Sequence, residues 1–314
     1  MSLSAKFRRL FSKRSIIETD LQIRKRVRIA QGERWTIRYS ANNGDRIDAY
    51  LLVPTMTGRD RVAAIIASHQ HNGQYEIGKS EPAGLIGNPH QAYGLELCAK
   101  GYAVLCPDHL GFEARQQKGN SIQFPLVGRA FEQFVFGDAI LRGGSLAATY
   151  LFDLQQAISV LESFDFIDSS RIGAIGHSLG GQTALWLGAM DPRVKVTFAS
   201  CGFSLVRTIQ DRQIPHNCAL YLPGFLEVGD MDDVVASIAP RAFGMSHGLS
   251  DKSFPMLGVR KIHARATATF SKENLLKLAF RGGHEFPPQI RERAYRFIDT
   301  HLRDCLKPWI RRIG

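Results

Sequence analysis

The sequence predicts an α/β fold: a mostly parallel sheet with helices on both faces and an antiparallel hairpin at its start. Three observations carry this expectation. Short apolar runs alternate with stretches of 3.6-residue periodicity, the rhythm of successive β and α units. The runs are near-continuously apolar, as strands covered on both faces are. Before that rhythm begins, Asn42-Asn43-Gly44-Asp45 joins two strand-like stretches with a strong turn signal.

Taken in order, residues 1–30 read as a basic N-terminal extension and 31–314 as one domain. ERWTIRYSANNGDRIDAYLLVP supplies the hairpin. VAAIIASH (62–69) and YAVLCPDH (102–109) read as buried strands, with the helical QAYGLELCAKG between them closed by Gly101. A long helical pattern covers 144–164. RIGAIG (171–176), VKVTFAS (194–200), AFGMSHG (242–248) and LLKLAF (275–280) continue the strand series, and an amphipathic helix begins near Pro288. Two stretches break the rhythm. Residues 203–240 read as a small helical lid over the sheet, and 111–143 as a second irregular insertion.

The bulk numbers exclude several classes. At 44% hydrophobic and 22% charged, the 314-residue chain has the composition of a soluble globular protein. No apolar run approaches the ~18–20 residues of a membrane span. The five cysteines, Cys98, Cys106, Cys201, Cys218 and Cys305, form no CxxC pair and no zinc spacing, so free thiols in a reducing compartment are expected. With no apolar signal region at the start, a cytoplasmic location is expected.

Much of the +11 net charge is local: Lys6, Arg8, Arg9, Lys13, Arg14, Arg24, Lys25, Arg26 and Arg28 face only Glu18 and Asp20. Phe7, Leu10 and Phe11 sit among the first of these at helical spacing. Weak attachment to an anionic membrane is one reading. A solvated tail or a helix packed on the domain is preferred, because basic runs are mostly just solvated. No nucleic-acid-binding motif accompanies the charge, so no nucleic-acid partner is expected.

Chemistry concentrates at Gly176-His177-Ser178-Leu179-Gly180, a G-x-S-x-G pentapeptide between a strand and the helical TALWLGAM. The glycines allow a turn sharp enough to lift the Ser178 hydroxyl into the open, and the Leu179 N–H then points to where an oxyanion would form. The spacing alone is weak, since glycine also makes plain tight turns, but the strand–turn–helix context is the required one. A serine needs a histidine to take its proton and a carboxylate to orient that histidine, in the chain order Ser, Asp or Glu, His. His284, in RGGHEFPP between the last strand and the last helix, is the preferred base and His247 the fallback. His263 and His301 fall in helical stretches and read as surface residues. Asp251, just after strand 242–248, is the preferred acid, with capping of the next helix as its alternative role. Asp230, Asp232 and Asp233 read as solvated or capping. The second oxyanion donor is expected from His69-Gln70-His71-Asn72-Gly73, at the His71 N–H. His69 and His71 lack a third ligand at matching spacing, so no metal is expected, and no cofactor. Phe203, His216, Tyr221 and Phe225 are guesses for the inner wall of the lid, where aromatics serve packing as often as contact.

HQHNG (69–73), CPDHLGFEAR (106–115), RIGAIGHSLGGQTALW (171–186), SHGLSDKSFP (246–255) and GGHEF (282–286) together resemble the α/β-hydrolase superfamily, within it the dienelactone-hydrolase-like and acetyl-xylan-esterase-like bacterial esterases. The resemblance spans most of residues 46–302. It implies a Ser178–His284–Asp251 triad that hydrolyses a carboxylic ester, short-acyl or acetyl, through an acyl-enzyme, with a small-molecule ester as substrate. Two departures stand out. Dienelactone hydrolases proper use a cysteine nucleophile where this chain has Ser178, and the usual His-Gly pair of the oxyanion loop is His69-Gln70 here. An amidase or peptidase would use the same residues, and a non-catalytic module of the same fold is the alternative from another class. Dehalogenases and epoxide hydrolases are disfavoured because they carry Asp at the nucleophile position. Oligomeric state is not readable.

Overall fold

A computed structural model describes residues 3–11, 17–41, 44–56, 61–116 and 126–303. Nine strands form one sheet: β1 (Gln22–Ile29), β2 (Gly32–Ser40), β3 (Arg46–Pro54), β4 (Val62–Ser68), β5 (Ala103–Pro107), β6 (Ile167–His177), β7 (Val194–Ser200), β8 (Ala242–Gly248) and β9 (Leu275–Phe280). Their order is β1-β2-β3-β5-β4-β6-β7-β8-β9. The pairings from β1 to β5 are antiparallel, and those from β5 through β4 to β9 are parallel. The expected architecture is therefore present. The Asn42-Asn43 part of the hairpin turn lies outside the described residues, as do Lys13, Arg14 and Cys305.

The helices are α1 (Leu3–Arg8), α2 (Tyr93–Ala99), α3 (Gly128–Leu141), α4 (Leu146–Glu162), α5 (Leu179–Met190), α6 (Val206–Asp211), α7 (Phe225–Val228), α8 (Met231–Ala236), α9 (Met256–Thr269) and α10 (Pro288–Leu302). Strand β4 explains why its sequence is apolar throughout. Ala64 and Ile66 join a core with α4 and α5 on one face, while Ala63, Ile65 and Ala67 join a second core with α2 and α10 on the other. All twelve residues of α5 are buried, so TALWLGAM has no polar side to show. Ser145 starts α4, its Oγ accepting the Ala148 N–H at 3.0 Å.

The N-terminal extension needs correction. Residues 22–29, expected to precede the domain, form β1, the edge of the sheet. QIRKRVRI hides its strand character because an edge strand turns charges outward, which also discourages pairing with another chain. Helix α1 is packed rather than free. Phe7 and Phe11 are buried, with ring centroids 6.0 and 5.0 Å from Trp186 of α5. Both rings are thus packed within the chain.

The segment between β7 and β8 contains α6, a single 3-10 turn at Cys218–Leu220, α7 and α8. Asp230 is a cap, as expected, and serves two helices: its carboxylate accepts from Met231 N at the start of α8 and from Val206 N and Arg207 N at the start of α6. The described part of the 111–143 stretch holds the fourteen-residue α3, of which only Phe131 and Glu132 are buried.

Candidate active site

Strand β6 ends at His177 and α5 begins at Leu179, so a single residue, Ser178, makes the whole connection. Its φ of 56° and ψ of −121° lie where a non-glycine residue is strained, and such strain persists only where the surroundings over-determine it. The surroundings here are backbone. A Cβ on Gly176 would lie 2.2 Å from the Gly180 carbonyl, and one on Gly180 would lie 2.0 Å from the Ser68 carbonyl oxygen at the end of β4. The Ser178 N–H donates to the Ser200 carbonyl at the end of β7, 2.9 Å away. The side chain is thereby held at the carboxyl ends of the central parallel strands, where open α/β sheets place their sites.

Two loops bring partners to it. His284, between β9 and α10, lies with Nε2 2.8 Å from Ser178 Oγ and Nδ1 2.9 Å from Asp251 Oδ2. Asp251 follows β8. Its other oxygen accepts the backbone N–H groups of Ser253 at 2.8 Å and Phe254 at 3.2 Å, so the carboxylate both meets the imidazole and shapes the loop before α9. Burial works to raise its pKa, but the His284 hydrogen bond and charge and the two N–H donors outweigh it and hold Asp251 below the usual carboxylate value. With the carboxylate accepting at Nδ1, the Nε2 lone pair is left facing the Ser178 hydroxyl.

The structure brings Ser178, His284 and Asp251 together and sorts the other expected residues around them. Leu179 N–H is the first of α5 and has no acceptor inside that helix. His71 lies in the loop after β4, its ring tied to other groups by both nitrogens. Gln70, the departure from His-Gly, turns its side chain inward, where Nε2 donates to Glu81 at 3.0 Å. His69 is spent on the Gln70 carbonyl and the His109 N–H. His216 bonds the Ser253 carbonyl at 2.8 Å and packs 4.7 Å from Phe254, whose ring is 5.7 Å from His284, so it stands at the rim. Tyr221 is exposed and lines an apolar groove of about 410 Å³ with Phe136. Phe225 lines the same groove, its ring buried 5.8 Å from Phe7 and 5.7 Å from Trp186, and Phe203 is buried 5.1 Å from His247. The fallback base, His247, is buried against the Phe203 carbonyl, and burial lowers its pKa to about 3. His263 departs from the expected surface position. It is partly buried, 5.6 Å from His247, with its pKa lowered to about 4 by burial.

Sequence reasoning missed Glu132 of α3. Its carboxylate accepts from His71 Nε2 at 3.1 Å, Tyr75 Oη at 2.7 Å and Cys218 N at 3.0 Å. No motif marks it; the one available signal was a lone acid inside the apolar run AFEQFVF. Among the described residues, one trio has metal-donor atoms within 4.8 Å of one another: Cys201, Asp251 and His284. Asp251 and His284 are already paired, and burial pushes the Cys201 thiol up to about 12, keeping it protonated and so a poor ligand.

The acetyl xylan esterase (AXE1) family matches residues 10–214, and the prolyl oligopeptidase family matches residues 144–308. The chain is 29% identical over 279 residues to a Bacillus subtilis (strain 168) protein named "Putative hydrolase YtaP", covering 85% of this chain and 87% of that one. Its fold is shared with acetyl xylan esterase 1 from Thermoanaerobacterium sp. JW/SL YS485, at a TM-score of 0.68 and 16% identity over 94% of this chain and 92% of that one. It is shared too with a glucuronoyl esterase from Solibacter usitatus, at 0.67 and 14% identity over 95% and 91%. An AXE1 match over more than half the residues, on a sheet of this order, places the chain in the acetyl xylan esterase family of α/β-hydrolases, as a carboxylic ester hydrolase.

Proposed function

We propose that the chain hydrolyses short-acyl esters, acetyl esters of carbohydrate first among them, through a Ser178–His284–Asp251 triad and an acyl-enzyme. One observation carries the reading: a serine hydroxyl 2.8 Å from an imidazole nitrogen whose other nitrogen is 2.9 Å from a buried carboxylate. Ser178 Oγ attacks the ester carbonyl carbon while His284 Nε2 takes the hydroxyl proton. Asp251 stays ionised and stabilises the imidazolium. The N–H groups of Leu179 and His71 receive the oxyanion, the charge that develops in the transition state. The alcohol leaves with the proton from Nε2. Water, activated by the same nitrogen, then releases the acid and restores Ser178. The strained turn at Ser178 fits the role of a nucleophile elbow. The acetyl preference follows the family name.

The match to the prolyl oligopeptidase family supports a second reading, cleavage of amides by the same residues. Hydrolysis of p-nitrophenyl acetate, butyrate and octanoate, beside matched anilides, tests both. Ester turnover falling with acyl length, and absent in Ser178→Ala and His284→Ala, is expected. Faster anilide turnover would transfer the assignment to amides. A folded wild-type protein that neither turns over esters nor reacts with a fluorophosphonate would overturn the triad.

A further inference from the structure

Glu132 poses a physical problem that the proposed chemistry does not use. Helix α3 is otherwise largely exposed, yet it buries a carboxylate to 3% exposure. Burying a charge is costly unless hydrogen bonds satisfy it. Burial pushes the Glu132 pKa up, but its three donors outweigh this and hold the group below its ordinary value, so it is an ion. Burial and the adjacent carboxylate raise the Tyr75 phenol, which therefore stays a donor. The three donors come from two separate pieces of the molecule. His71 and Tyr75 belong to the loop after β4, and Cys218 to the 3-10 turn between β7 and β8.

The His71 ring is fixed at both ends. Gly73 N–H donates to Nδ1 at 3.0 Å, so the ring proton resides on Nε2 and is given to Glu132. Tyr75 and Phe112 hold the ring edge-on, each with centroids 5.1 Å away. The backbone of the same residue is held as well, its carbonyl accepting the Gln74 N–H at 3.0 Å, so ring and main chain of His71 are tied into one loop.

We propose that Glu132 is a positioning residue: it aims the His71 N–H at the oxyanion and couples that aim to the segment around Cys218. This rests on the oxyanion role assigned to His71 under the triad reading. Because the interaction matters most when charge develops on the carbonyl oxygen, its loss acts on kcat more than on KM.

The test is Glu132→Gln, with active sites first titrated by fluorophosphonate. The glutamine keeps the shape but presents an amide donor to a cluster built of donors. We expect kcat per titrated site for p-nitrophenyl acetate to fall ~10–100-fold, the range for a misaimed group near the chemistry. KM stays within about threefold, and the affinity of a boronic acid that mimics the tetrahedral adduct falls in parallel with kcat. Phe134→Ala, exposed on the same helix, leaves kcat unchanged and controls for general loosening of α3. Should Glu132→Gln fail to fold, His71→Leu carries the test, since it removes the same contact while keeping the amide. Unchanged kcat in either folded variant, or a rise in KM at unchanged kcat, overturns the positioning role while leaving the triad standing. A wild-type protein inert to the fluorophosphonate removes the reading beneath it.

Discussion

Asp251 and Glu132 are the same device set to different ends. Each is a buried carboxylate that accepts from one histidine and from two further donors, backbone N–H groups for Asp251 and the Tyr75 hydroxyl and Cys218 N–H for Glu132, and burial opposes the charge of each while its donors restore it. The difference lies at the far nitrogen of the histidine. His284 turns its free nitrogen to the Ser178 hydroxyl, 2.8 Å away, whose proton it can take. His71 has that nitrogen filled by the Gly73 amide, whose proton cannot be given up. A histidine–carboxylate pair is therefore a proton carrier or a strut according to what its second nitrogen meets. Neither burial nor the pairing distance separates the two.

The comparison can be broken in graded steps. Under the proposed triad, Ser178→Ala removes the hydroxyl that His284 faces, and kcat should fall by ~10⁵-fold or more, measured against a well-folded control; residual turnover within 100-fold of wild type would place the nucleophile elsewhere. Asp251→Asn keeps the shape but presents an amide to Nδ1 and disturbs the ring tautomer. A loss of ~10³–10⁴ in kcat is expected, well beyond that of Glu132→Gln. Equal losses in the two variants would erase the distinction drawn here. The charge of Asp251 also has a pH signature. Because its folded value lies below the unfolded one, its contribution to stability is full above about pH 4 and is lost as pH falls through the folded value. The stability gap between wild type and Asp251→Asn, measured by denaturant melts, should accordingly narrow below about pH 4. A gap constant down to pH 2.5 would mean that shape rather than charge matters. The smallest effect on activity is expected from Phe7→Ala. Its ring is fully buried against Trp186 and Phe225, so about 3–4 kcal/mol of stability should be lost, with kcat per folded molecule unchanged. A changed kcat would tie α1 to the site.

Different parts of this molecule were legible for different reasons. Strands β7, β8 and β9 lie at the residues read from sequence: β8 is buried throughout, and in β7 and in the edge strand β9 single exposed lysines, Lys195 and Lys277, leave the apolar run recognisable. β1 was not readable, because an edge strand is free to be charged. Ser178, Asp251 and His284 were legible through chain order and their places after β6, β8 and β9. Phe203, fully buried, shows why an aromatic in an irregular segment is hard to place: it has the same appearance in sequence whether it faces a cleft or the core. Gln70 departs from the usual His-Gly pair, and its side chain finds a buried partner in Glu81.

By itself the sequence determined the parallel part of the sheet, the helices that flank it, and a serine at a turn that only glycine neighbours permit, because steric exclusion and hydrophobic periodicity act locally along the chain. The tertiary structure alone decided that His71 meets Glu132 across 61 residues of chain. It also decided which imidazole nitrogen each carboxylate takes. Those outcomes depend on how distant loops converge above the sheet, and a hydrogen bond between loops leaves no periodic trace in either.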